Sequence, residues 1–230
     1  MRTFGAVVLD FDGLIVDTES PILAIWQEVF REHGCELSLH DWERALGSHG
    51  AYDPCAHLAE LTGRIFDHEA LRTAVRARNT EACGRQPLLP GVADLLDQAR
   101  SIGLRTAVAS SSTRGWVEGW LERHGVRSVV DAVCGREDVA RVKPEPDLFL
   151  LAAARLGVPP AACVVFEDSP NGIRAAKRAG MACVAVPNPV TARLRLPDPD
   201  LVLPSLAGLR LSELLERLGR AGVPPTAAEA

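Results

Sequence analysis

VVLDFDGLIVDTE, residues 7–19, places two aspartates one residue apart directly after an apolar run. Residues 7–9 predict a buried strand, because a short β-branched and apolar run before a turn signal is typical of a sheet interior. Asp10 and Asp12 then lie at the edge of a core, where two close carboxylates lose hydration and repel each other. A turn or helix cap would use only one of them. The pair therefore indicates a shared cation, or a nucleophile beside an acid/base.

The composition predicts a folded chain with a substantial core and excludes several classes of function. Hydrophobic residues make up 47% of the 230 residues and charged residues 24%, which argues against disorder. A formal charge of −5 without a basic cluster excludes a nucleic-acid surface. No apolar run reaches the roughly 20 residues that span a bilayer, so no membrane partner is expected. Six cysteines without C-x-x-C spacing, and the lack of a signal-peptide pattern, favour a reducing cytoplasm.

Strand-like runs alternate with helical patterns along most of the chain. The helical patterns end at glycines or begin at capping residues, such as Ser169 before Pro170. This alternation predicts an α/β fold with a Rossmann-like parallel sheet, whose ligands bind beyond the carboxyl ends of the strands. The predicted strands are residues 6–9, 105–109, 129–134, 162–166, 182–186 and 200–203.

The stretch from about residue 18 to residue 84 interrupts this alternation, because it contains helical patterns and no convincing strand. Asp53 and Asp67 precede two of these patterns as caps, and Ser20 precedes the first. We expect about four helices that form a small all-α cap domain over residues 17–85, hinged as a lid over a site. Residues 1–16 and 86–222 would then form the α/β core domain, and residues 223–230 a flexible tail.

Chemically capable side chains follow four of the predicted strands or the loops near them. They occur in DFDG (10–13), AVASSS (107–112), VKPEPD (142–147) and VVFEDSPNG (164–172). Each motif alone fits a turn, a cap or a solvated loop. Together they bring four carboxylates, a hydroxyl and an ammonium to the ligand edge of the sheet. Carboxylates suit Mg²⁺, and the remaining groups suit a phosphoryl group.

These four motifs resemble those of the haloacid dehalogenase-type phosphatases, in particular the β-phosphoglucomutase-like branch with a small helical cap. The resemblance covers about residues 4–205. It implies that Asp10 attacks phosphorus and forms an aspartyl-phosphate, while Asp12 protonates the leaving group and then activates water. Phosphoryl transfer depends mainly on positioning and charge neutralisation, so this division of roles is chemically coherent.

The same resemblance implies a metal site and a phosphate site. Mg²⁺ would be held by Asp10, by the backbone carbonyl of Asp12 and by Asp168, with Glu167 bound directly or through water. The phosphoryl oxygens would be held by Ser110 and Lys143, with Ser111 as a further phosphate- or substrate-binding residue.

Three alternatives remain at this stage. A dehalogenase has no need of Mg²⁺ or of Asp12. A β-phosphoglucomutase-type phosphotransferase shares every core motif but has a histidine where this chain has Ile22, and its cap lysine would fall near Arg78. A non-catalytic phosphate-binding protein would be expected to lose a catalytic carboxylate. The expected partner is a small phosphorylated metabolite, with His49 and Arg78 as candidate cap contacts. The oligomeric state stays open, a monomer included.

Overall fold

Six parallel strands form one sheet within residues 3–221, the part of the chain that the computed structural model describes. Their order across the sheet is β3-β2-β1-β4-β5-β6. The central strand pairs on both sides, since Val8 faces Ala107 of one neighbour and Val165 of the other. The strands are β1 Ala6–Leu9, β2 Arg105–Ala109, β3 Ala132–Cys134, β4 Cys163–Glu167, β5 Ala182–Ala185 and β6 Leu201–Val202.

Nine α-helices belong to the described residues, and five of them cover the two faces of the sheet. They are α1 Glu19–Glu32, α2 Leu39–Trp42, α3 Pro54–Thr62, α4 His68–Cys83, α5 Val92–Ser101, α6 Arg114–Arg123, α7 Asp147–Leu156, α8 Pro170–Arg178 and α9 Leu211–Ala221. Alternate residues of β1 enter opposite cores: Val7 packs with α5, α6 and α9, and Val8 packs with α7 and α8. Burial on both faces explains why the strands are continuously apolar. The α/β fold class is confirmed.

Helices α1–α4 follow β1 in the chain and share a hydrophobic cluster of their own. Trp26, Phe30 and Leu58 belong to it, as does Val190 from the segment after β5. The insert is all-helical, as the sequence predicts, and Asp53 and Asp67 cap two of its helices. The exact boundaries of a cap domain at 17–85 and a core domain at 1–16 and 86–222 stay a prediction.

The strands β4, β5 and β6 differ from the sequence prediction by one residue at one or both ends, and two further boundaries differ for identifiable local reasons. The strand expected at 129–134 begins only at Ala132, because Arg127–Val129 forms a turn of 3-10 helix. Asp131 instead uses its carboxylate to accept the backbone N–H of Thr106 at 2.8 Å. The first helix begins at Glu19 rather than after Ser20, whose backbone N–H donates to Asp17.

None of the helices within residues 3–221 combines the length and apolar character that crossing a membrane requires. All six cysteines lie in this range and are free thiols. The tail predicted at 223–230 lies outside the described residues.

Candidate active site

Three carboxylates meet where β1 and β4 end side by side. Asp10 follows β1, Glu167 is the last residue of β4 and Asp168 comes next, and each is at most 2% exposed. The strands are in register, and the backbone N–H of Asp10 donates to the carbonyl of Phe166 at 3.0 Å. One carboxylate oxygen from each of the three residues lies within 4.8 Å of the others. The structure therefore brings these three predicted residues together.

Lys143 supplies a positive charge to this cluster. Its ammonium donates to Asp10 and, at 2.8 Å, to Glu167, and it lies over the ring of Phe149 at 4.8 Å. Burial opposes the charge on Lys143, but attraction and hydrogen bonds from the two carboxylates raise its pKa above the usual value. The ammonium therefore stays charged, and ionising all three carboxylates against it would leave two negative charges uncompensated.

The electrostatics of the cluster fit a divalent cation. Burial raises the pKa of Asp10 from 3.8 to about 7, against the lowering effect of Lys143 and with a further rise from Glu167. Burial, followed by repulsion from Glu167, raises the pKa of Asp168 well above its usual range. Asp168 Oδ1 is buried and has no hydrogen-bond partner within residues 3–221. A buried carboxylate oxygen without a partner, beside two further carboxylates, suits a hard cation such as Mg²⁺.

Asn188 holds the other oxygen of Asp168. Its side-chain N–H donates to Asp168 Oδ2 at 2.7 Å, and its Oδ1 accepts the backbone N–H groups of Val190 and Thr191. Because these two bonds fix which side of the amide accepts, the NH₂ group must face Asp168. Gly13 has a positive φ of 82° and lies so close that a Cβ there would clash with Asp168 and Asn188.

Glu167 differs from Asp168, because both of its oxygens are already bonded. Oε1 accepts from Lys143, and Oε2 accepts the backbone N–H of Ser169 at 2.7 Å and its hydroxyl at 3.0 Å. Gly172 in α8 permits this packing, since a Cβ there would overlap the Glu167 carboxylate. The arrangement favours contact between Glu167 and a metal through water rather than directly.

Asp12 lies outside the cluster of three carboxylates and is held by four donors. Its Oδ2 accepts from Ser110 at 3.0 Å and Ser112 at 2.7 Å. Its Oδ1 accepts from Thr18 at 2.9 Å and from the indole of Trp116 at 3.2 Å. The side chains of Asp10 and Asp12 therefore have different surroundings, one among charges and one among neutral donors.

A cavity of about 250 Å³ connects both aspartates to the helical insert. Ser111 lines its wall and donates to the carbonyl of Gly47, which links β2 to the loop after α2. Ile22 of α1 lines the same wall, at the position where mutases of this branch carry histidine. Asn171 of α8 donates to the carbonyl of Leu46 at 2.9 Å, so the insert is docked on the core.

The two predicted cap contacts lie in different places. His49 is exposed and lines two neighbouring cavities, where its ring contacts the Arg136 guanidinium. Arg78 forms an ion pair with Glu28 of α1 and does not line the cavities that contain Asp10 or His49. The structure thus brings His49 near the site but not Arg78.

Several site residues escaped the sequence analysis. Asn188 follows β5 by three residues, so the same search for polar groups after strands could have found it. Trp116 and Asn79 lie within helices, and nothing in their local sequence marks them. Glu19 lines the cavity, and burial followed by the charge of Asp12 raises its pKa well above the usual value.

Comparisons with known proteins show which family the chain belongs to. Residues 7–186 match the family described as haloacid dehalogenase-like hydrolase. The chain is 43% identical over 213 residues to YhcW of Bacillus subtilis (strain 168), a match that covers 93% of this chain and 97% of that protein. It is 35% identical over 187 residues to fructose-1-phosphate phosphatase YqaB of Escherichia coli (strain K12), over 80% of this chain and 96% of that protein.

The similarity to a solved structure includes the whole fold. β-Phosphoglucomutase from Clostridium difficile superposes with a TM-score of 0.77 and 23% identity, over 95% of this chain and 99% of that chain. The family match and the two relatives confirm the resemblance found in the sequence. The chain belongs to the haloacid dehalogenase-like hydrolases, a family of enzymes in which its relatives include phosphatases.

Proposed function

We propose that this protein hydrolyses a small phosphate monoester, with Mg²⁺ as cofactor and an aspartyl-phosphate on Asp10 as intermediate. The observation that carries the proposal is the buried group of Asp10, Glu167 and Asp168 at the end of the cavity, with one Asp168 oxygen unbonded. A sugar phosphate or similar metabolite is the proposed substrate. The six free thiols agree with the cytoplasm as the proposed location.

Asp10, Asp168 and the backbone carbonyl of Asp12 are the groups that would hold Mg²⁺. When bound, Mg²⁺ would neutralise charge on the phosphoryl oxygens and favour the ionised form of the neighbouring carboxylates. Glu167, whose oxygens are both engaged, would act through water. Asn188 would keep Asp168 in the orientation that this requires.

In the first step, an Asp10 carboxylate oxygen forms a bond to phosphorus and the ester P–O bond breaks. Asp12 gives a proton to the departing alkoxide, which leaves as an alcohol. Asp12 must be protonated at that moment, although four donors point at it in the present arrangement. The hydroxyls of Thr18, Ser110 and Ser112 can rotate from donor to acceptor, and this rotation would let Asp12 carry the proton.

In the second step, water attacks phosphorus and gives a proton to Asp12. The bond between phosphorus and the Asp10 oxygen breaks, so inorganic phosphate leaves and the Asp10 carboxylate is restored. The same Asp12 oxygen can serve both steps. The proton that it takes from water in the second step replaces the one that it gave to the alkoxide in the first.

Lys143 and Ser110 each donate a hydrogen bond to one of the two aspartates. Two of the three ammonium protons of Lys143 are used on Asp10 and Glu167, which leaves one for a phosphoryl oxygen. The single hydroxyl proton of Ser110 is used on Asp12. The role of both residues in holding phosphate stays a prediction, and Lys143 has the donor to spare.

A metal titration combined with a substrate panel tests the proposal. The protein is treated with EDTA, dialysed, and assayed for phosphate release from a panel of sugar phosphates with and without added Mg²⁺. We expect no turnover without metal and full recovery with Mg²⁺. Full activity in metal-free buffer would overturn the metal-dependent mechanism, and no phosphate release from any ester with Mg²⁺ would overturn the hydrolase assignment.

A further inference from the structure

Trp116 is the one donor to Asp12 within residues 3–221 whose proton has a fixed direction. Its indole Nε1–H donates to Asp12 Oδ1 at 3.2 Å. The other three donors, Thr18, Ser110 and Ser112, are hydroxyls, which rotate about the C–O bond and both donate and accept. An indole only donates, and its N–H bond lies in the plane of a rigid ring. The contact with Trp116 therefore constrains the Asp12 carboxyl group in a way that the hydroxyls do not.

The indole ring of Trp116 is itself held in place by its surroundings. Trp116 is the third residue of α6, and its backbone N–H donates to the hydroxyl of Thr113, the residue that caps this helix. One turn further along α6, the ring of Trp120 meets it edge to face, with 5.4 Å between the ring centroids. The Trp116 side chain also packs against the core on the side of the sheet that α5, α6 and α9 cover. The position of the indole N–H is thus set by the helix cap, the neighbouring ring and the core.

The pattern of donors gives the two Asp12 oxygens different roles. In a neutral carboxyl group the carbonyl oxygen is the better acceptor, and the other oxygen carries the proton. Because the indole of Trp116 cannot accept a hydrogen bond, Oδ1 is favoured as the carbonyl oxygen. Oδ2 accepts from the hydroxyls of Ser110 and Ser112, which can turn from donor to acceptor. Oδ2 is therefore the oxygen that is suited to carry the proton.

We propose that Trp116 is a positioning residue for the general acid Asp12. Its indole N–H fixes the rotation of the Asp12 carboxyl group and keeps Oδ1 as an acceptor, so that Oδ2 gives the proton to the departing alkoxide. The O–H bond of Asp12 breaks as the ester P–O bond breaks, the proton ends on the alcohol, and Trp116 keeps its own proton throughout. This inference rests on the proposed function, in which Asp12 protonates the leaving group. Trp116 also lines the catalytic cavity, so the contact is made beside the space that the substrate would enter.

The kinetic test varies how strongly the leaving group needs a proton. Trp116→Phe keeps an aromatic ring in the cavity wall and removes the indole N–H. In saturating Mg²⁺, kcat/KM is measured for p-nitrophenyl phosphate, phenyl phosphate and benzyl phosphate, whose leaving groups become more basic in that order, and for a sugar phosphate that the protein hydrolyses. This parameter covers the steps up to release of the alcohol, so the later attack by water does not enter it. We expect a loss of about tenfold for benzyl phosphate and the sugar phosphate, and the smallest loss for p-nitrophenyl phosphate, whose leaving group departs without a proton.

Trp120→Phe is the matched control, since it makes the same change one turn along the same helix. Trp120 contacts the ring of Trp116 but does not line the catalytic cavity. Its replacement should change kcat/KM by a similar small factor for every ester. A Trp116→Phe loss of equal size for all esters, or a dependence on the leaving group that Trp120→Phe reproduces, would overturn the positioning role.

The indole N–H signals in NMR spectra test the contact with Asp12 without turnover. The chain has four tryptophans, and the signal of Trp116 is the one that Trp116→Phe removes. Asp12→Asn replaces a charged acceptor by a neutral one, which weakens the hydrogen bond. We therefore expect Asp12→Asn to shift the Trp116 signal further than those of the other three tryptophans. A shift no larger than that of Trp120 would overturn the inference.

The outcomes separate this inference from the proposed function. Phosphate release by the unmodified protein, with the same dependence on the leaving group in Trp116→Phe, would keep the hydrolase and overturn the role of Trp116. No phosphate release from any ester by the unmodified protein would overturn the proposed function, and the positioning role with it. A loss that grows with the basicity of the leaving group, found in Trp116→Phe and not in Trp120→Phe, would support both.

Discussion

Asn188 donates its side-chain amide to one oxygen of Asp168 at 2.7 Å, and the other Asp168 oxygen has no hydrogen-bond partner among the described residues. The amide cannot turn around, because its own oxygen accepts two backbone N–H groups. The Asp168 carboxylate is therefore held with Oδ2 on the amide and with Oδ1 free to take a ligand. This relationship gives the proposed metal site an orientation that the carboxylates alone would not have.

We expect Asn188→Ala to weaken Mg²⁺ binding by about 10- to 100-fold, the usual effect of losing a group that orients a metal ligand. Turnover at saturating Mg²⁺ should fall much less, because the nucleophile is untouched. The measurement is activity against Mg²⁺ concentration. Asn171→Ala removes an amide that contacts Leu46 instead of the cluster, and its Mg²⁺ dependence should equal that of the unmodified protein. An unchanged Mg²⁺ requirement in Asn188→Ala would contradict the orienting role.

Asp10→Asn should abolish turnover without lowering stability in metal-free buffer. The amide is no nucleophile, yet it is nearly isosteric and removes one of three buried carboxylates that repel each other. Lys143 keeps Glu167 as its partner. Thermal unfolding and a phosphate-release assay on the same preparation check both parts. Residual turnover above a trace would show that Asp10 is structural.

Lys143→Met should lower the stability of the protein, although it nearly conserves the side-chain volume. It leaves Asp10 and Glu167 buried without their cation, and breaking a buried ion pair from one side costs about 3–5 kcal/mol. Chemical unfolding in metal-free buffer measures the loss. Combining it with Asp10→Asn should restore part of the stability, and simple additivity of the two changes would argue against their direct coupling.

The same glycine-to-alanine change should have opposite effects in α8 and α6. Gly172→Ala places a methyl group into the Glu167 carboxylate and should destabilise the protein and reduce activity. Gly119 is exposed in α6 with open space around it, so Gly119→Ala should stabilise by up to about 1 kcal/mol through helix propensity. Chemical denaturation measures the free energy of unfolding of both variants and of the unmodified protein. A neutral Gly172→Ala would mean that Glu167 can move freely.

Hydrolysis should outrun transfer between sugar positions. Ile22 lines the catalytic cavity where mutases of this branch have histidine, and its side chain can neither relay a proton nor bond a sugar hydroxyl. The protein is incubated with Mg²⁺, β-glucose 1-phosphate and a catalytic amount of the 1,6-bisphosphate while phosphate and glucose 6-phosphate are followed together. Rapid formation of glucose 6-phosphate with little free phosphate would establish the phosphotransferase alternative instead.

The sequence by itself determined the sheet and the polar groups at its carboxyl edge. Apolar runs specify strands buried on both faces, and parallel strands present their carboxyl ends at one edge whatever their order. Asp10, Glu167 and Asp168 could therefore be expected to meet before the strand order was known. Local caps such as Asp53 and Asp67 were equally readable, because they depend on residues within a few positions.

Only the tertiary structure decided which side chains reach the site from helices and distant loops. Arg76 and Arg78 are two residues apart on α4, so they point about 200° apart around the helix axis. Arg76 lines a cavity beside the catalytic one, whereas Arg78 forms an ion pair with Glu28. The resemblance to the mutases favoured Arg78. The face that α4 presents to the core is instead set by packing against α1 and α3. Asn188 likewise depends on a loop that folds back onto Asp168, a contact across 20 residues that no local pattern encodes.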